Sequence, residues 1–415
     1  MNKEKPKSVP TITLPKLLIS YLQLQCSFRV NRFISVIKPR KQDHIIGYGS
    51  SISGLNRRAL IVYITDAFFR SKEDAIFRKH QNRWQAVEIA NIFNQLGYVV
   101  DIVSLFDIHY VSKEKYDVVF GVHPAFDKIA ERMPKETLKI YYALELPYQY
   151  QNATIEQRHK DLENRRGTKL KQRRVVTPHK SLSIADYVIY MGNDFSLDIH
   201  SKNGGMPSRF YNVPNTISNI EEPDLDNKDF EKARKRFLFL GSSGLVLRGL
   251  DRLLEVFGDM PEYELYICTT LHWEIGLAFA YRKELFKTQN IHPIGWIDIS
   301  SQTFTEIVNR CAYLIYPSGS EGCSGSVLTG MGQGLIPIVS RACGIDNGNE
   351  IILPDCDIST LKSAVCDAAT VSPAECKKMA KAIYAIAGEK YNQSNFSKRM
   401  RENLENILNK GRDKK

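Results

Sequence analysis

Residues 316–340 read Tyr316-Pro-Ser-Gly-Ser-Glu-Gly-Cys-Ser-Gly-Ser-Val-Leu-Thr-Gly-Met-Gly-Gln-Gly-Leu-Ile-Pro-Ile-Val-Ser340, and this stretch decides the fold. A strand ends at Tyr316, a turn rich in Gly and Ser presents Glu321, a helix begins near Ser324, and a buried strand follows Gly334. Gly322 and Gly325 let backbone approach a ligand closely, and Ser324 suits a helix N-cap whose neighbouring amides point outward. Such a bend is a receptacle for a phosphate and a hydroxylated ligand.

On either side of this bend, short apolar runs alternate with stretches of helical period. Strands are expected at 60–64, 98–103, 117–122, 139–143, 187–190 and 210–213, with a helix over 78–96 that carries Ala86, Ile89, Ala90, Phe93 and Leu96 on one face. A charged, Pro-containing segment around Glu221–Asp229 reads as a linker. The alternation then restarts with strands at 237–240, 265–268, 291–294, 312–316 and 335–339. Leu250, Leu253, Leu254 and Phe257 form a helical stripe, and Phe396, Met400, Leu404, Ile407 and Leu408 form another near the end. The fold class is α/β: two Rossmann-like, doubly wound domains, 59–220 and 236–390, face each other across a cleft. A basic arm (1–58) precedes them, and a C-terminal helix (391–415) is expected to cross back to the first domain. Ligands of open parallel sheets bind beyond the carboxyl ends of the strands, so the chemistry belongs in the cleft.

With 415 residues, 43% hydrophobic and 25% charged, the chain can bury ordinary globular cores, and no apolar run approaches the roughly 18 residues of a membrane span. The net charge of +11 is concentrated in residues 1–58, which hold eleven Lys and Arg against Glu4 and Asp43. The near-neutral body argues against nucleic acid as a partner. Eight cysteines without a C-x-x-C pair suit neither a zinc site nor a dense disulfide scaffold and read as reduced thiols of a cytoplasmic protein. Pro15, Lys16, Gln23 and Gln25 interrupt the only candidate signal-peptide core, and the glycosylation patterns at Asn152 and Asn392 carry no meaning in that compartment.

The bend resembles the donor-binding signature of the retaining GT-B glycosyltransferases of family four, the glycosyl transferases of group 1: strand, Pro-Ser, Glu-Gly, a Gly/Ser turn, helix, Gly-x-Pro-Val/Ile. Phe237-Leu-Phe-Leu-Gly241 followed by Arg248-Gly-Leu-Asp-Arg-Leu-Leu254 is similar to that family's strand, glycine and Lys/Arg-Gly helix. Ile291-His-Pro-Ile-Gly-Trp296 and the stretch to Tyr316 resemble the segment between the two motifs, and Asn82-Arg-Trp-Gln-Ala-Val-Glu-Ile-Ala90 with Gly97-Tyr98 is similar to the first helix and second strand. The likeness spans roughly 59–411, is strong over 237–345, and implies the GT-B architecture.

What the resemblance implies falls on few residues. Glu321 matches the acidic residue that bonds donor-sugar hydroxyls, and Arg248 the cation that stabilises the departing diphosphate. Amides around Gly322, Cys323 and Ser324 hold sugar and phosphate, while Gly241, Ser242, Ser243, Trp296, Gly325 and Thr329 complete the donor side. A guanidinium suits phosphate because it is planar, always charged and bidentate. No metal and no resident cofactor are expected; the nucleotide-sugar is a co-substrate. Two Asp-x-Asp matches, Asp224/Asp226 and Asp355/Asp357, read as solvated surface.

Two positions depart from the family. Thr329 stands where a second Glu often bonds the ribose, and Ser242 and Ser243 stand where an Arg often follows the first strand. Three readings follow: Arg341, Arg252 or a basic residue of the facing domain compensates for the lost charge, the donor differs, or the chain is a non-catalytic relative. On the acceptor side, Glu145, His80 and His123 lie at strand ends or a helix start, where solvated or structural roles compete with acceptor contacts. Glu321 has a competing role as a helix N-terminal carboxylate, Arg248 as a surface cation and Trp296 as a core aromatic.

The arm carries Leu14, Leu17, Leu18, Tyr21, Leu22, Phe28, Phe33, Ile34 and Ile37 among Lys and Arg. That pattern suits an anionic membrane surface, and also a helix packed on the body or a solvated tail. The expected function is transfer of a sugar from a nucleotide-diphosphate donor to a glycan or lipid-linked acceptor, by a cytoplasmic protein at the inner face of a membrane. The alternative is a catalytically degenerate relative that binds a nucleotide or glycan.

Overall fold

The computed structural model describes residues 9–37, 44–52, 54–71, 74, 81–217, 220–346 and 348–412. The first domain is built on β1 (Ile45–Tyr48), β2 (Arg57–Tyr63), β3 (Tyr98–Ser104), β4 (Val118–Gly121), β5 (Leu138–Ala143), β6 (Tyr187–Tyr190) and β7 (Phe210–Asn212), ordered β1-β3-β2-β4-β5-β6-β7. All neighbours run parallel except β1 against β3. The second holds β8 (Arg236–Leu240), β9 (Glu264–Cys268), β10 (Ile291–Gly295), β11 (Tyr313–Tyr316), β12 (Ile336–Ser340) and β13 (Ile351–Leu353), ordered β10-β9-β8-β11-β12-β13 and parallel throughout.

The strands are continuous apolar runs because helices cover both faces. Leu60, Ile61 and Val62 are fully buried, as are Phe237 to Phe239 and Tyr313 to Tyr316. Each such side chain contributes about 1.5–3 kcal/mol on burial, which sets the register of the sheet more firmly than any turn. Strand order reverses between β2 and β4 in one sheet and between β8 and β11 in the other, so each sheet opens a crevice at those strand ends.

Helix α1 (Leu14–Ile37) lies against the 3-10 turn Leu271–Trp273 of the second domain. Leu17 is fully buried there, and the Ile12 N–H donates to the Pro293 carbonyl at 2.6 Å. The near half of the arm is therefore a packed helix, although Ile19 (55%) and Leu22 (60%) remain exposed on it. Ile45 to Tyr48, counted above with the arm, form the antiparallel edge strand of the first sheet. Helix α2 (Gln81–Gln95) buries Ala86, Ile89, Ala90 and Phe93 as its periodicity requires.

Helix α3 (Tyr148–Arg166) was not legible in the sequence. Its buried stripe is Gln151, Ile155, Arg158 and Leu162, half of it polar. It belongs to the first domain by chain order yet lies on α4 (Leu250–Gly258) of the second. Arg165 reaches Asp251 at 2.5 Å and Glu255 at 3.2 Å, and Arg252 reaches back to Asp161 at 3.0 Å. Helix α5 (Gly325–Met331) follows the Gly/Ser bend. Helix α6 (Gln393–Arg412) buries Phe396, Met400, Leu404, Ile407 and Leu408 and packs on the first domain. There Phe396 meets Trp84, and Asn403 donates to the Asn212 carbonyl.

Among the described residues no helix is long and apolar enough to cross a membrane. The eight cysteines are all unpaired.

Candidate functional site

Gly241 ends β8, its N–H donating to the Cys268 carbonyl at 3.0 Å, and the chain turns through Ser242 to Gly249 before α4. Glu274, almost fully buried, accepts from the N–H groups of Gly244 and Leu245 and fixes that turn. The turn aims Arg248 back over the strand ends. On the other side of the crevice, β11 ends at Tyr316 and the following bend delivers Glu321. The Glu321 N–H donates to the Ala342 carbonyl at 3.0 Å, which fixes the backbone beneath it.

The two side chains meet. Arg248 Nε donates to Glu321 Oε1 at 2.9 Å, and Arg248 Nη1 donates to Ser242 Oγ at 2.8 Å and to the Ser243 carbonyl at 2.6 Å. The hydroxyls of Tyr316 and Ser318 each donate to Glu321 Oε1 at 3.2 Å. Arg248 is 6% exposed and Glu321 8%. Burial pushes the Glu321 carboxyl up, but the guanidiniums of Arg248 and Arg174 pull further and hold it below the ordinary carboxylate value. Burial also opposes the Arg248 charge, and Glu321 and Tyr316 restore it beyond the usual guanidinium value. A buried pair of this kind rarely exceeds a hydrophobic replacement in stability, so its presence under an open crevice points to chemistry.

A cavity of about 500 Å³ opens above the pair. Gly241, Ser242, Arg248, Trp296, Glu321, Gly322, Cys323, Ser324, Gly325 and Thr329 of the second domain line it, with Glu145 of the first. Ser243 lies behind it and contributes only its carbonyl to Arg248. Trp296 is 69% exposed on the loop after β10, so the core-aromatic reading fails and the indole stands at the rim.

Two expectations change at the bend. The Ser324 side chain makes no cap hydrogen bond, and the Ser324 amide is spent on the Cys343 carbonyl at 2.9 Å. The amides of Gly322 and Cys323 make no hydrogen bond among the described residues and stay available. Helix α5 has only seven residues, so its dipole is weak and the site depends on guanidiniums. Thr329 Oγ1 donates to the Gly325 carbonyl at 2.8 Å.

On the first-domain side, Glu145 pairs with Arg174 across the cavity wall. His123 does not line the cavity; it stacks on His179 with ring centroids 3.9 Å apart. Burial, then the nearby His123, pushes His179 down to about 4, and burial lowers His123 as well, so both are neutral at pH 7. His80 lies outside the described residues. Asp226 pairs with Lys377 and Lys381 on the surface, and Asp357 with Arg252, away from the cavity.

The sequence reading missed Arg174, Gln81, Thr269 and Asp298, all on the cavity wall. For Arg174 the only signal was the density of Lys and Arg over 169–174 in an otherwise neutral body.

Neither a protein-family model nor a curated protein matches the chain in sequence. Solved structures match its fold. Sucrose-phosphate synthase from Thermosynechococcus elongatus superposes with a TM-score of 0.57 at 13% identity, over 85% of this chain and 99% of that one. HepE of Anabaena, solved in complex with UDP and glucose, gives 0.53 at 10% identity, over 85% and 100%. The N-terminal domain of Candida albicans trehalose-6-phosphate phosphatase gives 0.51 at 11% identity, over 88% and 99%.

Proposed function

We propose that this chain, whose fold is GT-B, is a glycosyltransferase that moves a sugar from a nucleotide-diphosphate donor to an acceptor hydroxyl. The observation that carries the reading is the buried Arg248–Glu321 pair at the β8/β11 crossover, open to a polar cavity of about 500 Å³. UDP and glucose bound to HepE, a protein of the same fold, suit a donor of this class.

In this reading Glu321, ionised and acceptor-only, orients hydroxyls of the donor sugar. Arg248 stabilises the diphosphate as it departs, a charge that grows in the transition state and is met by a guanidinium already in place. The free amides of Gly322 and Cys323 face sugar and phosphate. Transfer proceeds with retention: the leaving phosphate oxygen and the incoming hydroxyl share one face of the sugar, and the diphosphate takes the proton. In this reading no metal takes part, and the departing charge is met by hydrogen bonds from Arg248 and the amides of the bend. Trp296 at the rim flanks the nucleotide base.

The acceptor is a glycan or a lipid-linked sugar. The exposed Ile19 and Leu22 on α1, together with the basic arm, favour work at an anionic membrane surface inside the cell. One observation favours the second reading, a binding module without turnover: at 329 a single neutral hydroxyl, its proton given to the Gly325 carbonyl, stands in place of the carboxylate that the resemblance puts on the ribose.

Nucleotide release from uridine, guanosine and adenosine diphosphate sugars tests the reading. Wild-type release that Glu321→Ala and Arg248→Ala both abolish supports it. Release that survives both substitutions removes the site, and tight donor binding without release favours the binding module.

A further inference from the structure

Arg174 is the only non-glycine residue with a left-handed backbone among the described residues, at φ +60°. A side chain disfavours that region, and the surroundings impose it from several directions. Gln151 of α3 donates to the Arg174 carbonyl at 2.8 Å. The Asn152 amide pairs with both the N–H (2.9 Å) and the carbonyl (2.8 Å) of Val176. Arg173 donates to the Trp273 carbonyl at 2.7 Å. Gln151 also accepts from Ser320 Oγ at 3.2 Å, tying this segment to the residue before Glu321.

The side chain so placed runs over the bare backbone of Gly244, in the same turn that carries Arg248. A Cβ at Gly244 would stand 2.5 Å from Arg174 Cδ, and Gly244 is itself at φ +83°. Arg174 Nη2 donates to Glu145, while Arg174 Nε is buried with no hydrogen-bond partner. A diphosphate donor would call for a second cation here. Arg248 and Glu321 cancel one another, and Ser242 and Ser243 bring no charge to the turn after β8. Arg174 is the guanidinium from the facing domain that reaches the wall of the cavity at this turn.

We infer that Arg174 is the second cation of the donor's diphosphate clamp, held by Glu145 until a diphosphate displaces the carboxylate. The inference rests on the glycosyltransferase reading and adds that the clamp is shared between domains, one guanidinium from each.

Calorimetric titration with UDP, GDP and ADP identifies the nucleotide that the wild type binds. That nucleotide and its uncharged nucleoside, the latter followed by saturation-transfer NMR, are then compared across variants. Arg174→Gln is expected to weaken diphosphate binding about ten- to hundredfold, the range of charge-assisted hydrogen bonds, and to leave the nucleoside unaffected. Arg174→Lys recovers part of the loss, and Glu145→Gln tightens diphosphate binding. Arg174→Gly, at ease in a left-handed backbone, is expected to unfold no earlier than the wild type and still to lose the diphosphate. Equal diphosphate binding by wild type and Arg174→Gln overturns the inference alone, as does a loss shared equally by the nucleoside. A wild type that binds none of the three nucleotides overturns the donor reading and this inference with it.

Discussion

A methyl group built on Gly322 would overlap the carbonyl oxygen of Leu144, so the donor bend of the second domain meets the end of β5 backbone to backbone. The Gly322 carbonyl in turn fills the space that a side chain at Gly344 would occupy. Gly322→Ala therefore has no flexible neighbour to displace and must push the domains apart. It is expected to lower the thermal midpoint by several degrees and to weaken donor binding, measured by differential scanning fluorimetry with and without nucleotide. An unchanged midpoint would mean that the seam adapts.

Glu321→Ala leaves Arg248 buried without its carboxylate and takes the acceptor from the Tyr316 hydroxyl. Loss of one partner from such a pair costs about 3–5 kcal/mol, and Glu321→Gln, which keeps the shape, is expected to cost less. The pH dependence has a defined sign. The folded carboxyl titrates below its ordinary value of 4.5, so its contribution is present above pH 4.5 and is lost as pH falls through the lower folded value. Urea unfolding at pH 7, 5 and 3.5 is expected to show a smaller acid loss for Glu321→Gln than for the wild type.

His200 is fully buried between Tyr190 and Phe210, with no hydrogen bond to either ring nitrogen. Burial pushes it down from 6.5 to about 4. The neutral ring is therefore favoured by folding, and stability is lost as pH falls from 6.5 toward 4, by about 3 kcal/mol at full protonation. His200→Phe is expected to be the more stable protein at pH 5 and to flatten that part of the profile, read from unfolding midpoints between pH 7 and 4.5.

Leu17 anchors α1, and Ile19 and Leu22 face outward on the same helix. Leu17→Ala is expected to cost about 2–5 kcal/mol if the helix is part of the cooperative unit. The double substitution Ile19→Asp, Leu22→Asp should leave the fold intact and reduce flotation with vesicles containing anionic lipid. Flotation unaffected by the substitutions would exclude a contact through this helix, and flotation that persists with neutral vesicles and high salt would exclude its electrostatic part.

Most parallel strands were legible because they are runs of buried apolar residues with one reading; β13 was missed, since it has three residues and buries only Leu353. The bend holding Glu321 and the turn holding Arg248 were legible because their Gly, Ser and charged residues keep fixed offsets from strand ends. Helix α3 escaped because the face it buries carries Gln151 and Arg158, which serve pairing and not packing. Strand β1 escaped because Ile45-Ile-Gly-Tyr48 is short, contains Gly and borrows its order from β3. Arg174 was beyond reach for a related reason: its position is set by side chains 22 and 23 residues upstream and by a glycine 70 residues downstream, and no local period encodes that.

The ion pairs between α3 and α4 decide which parts of the molecule can travel together. Because Arg165, Arg252 and Asp161 rivet a first-domain helix to the second domain, that helix goes wherever the second domain goes. A widening cleft must then flex at the two joints that connect α3 to its own sheet, near Pro147 and near Pro178, as well as at the charged linker and at the return of α6. The molecule has the mechanics of a lid on several straps, in which the strap carrying Arg174 is already fastened to the opposite leaf.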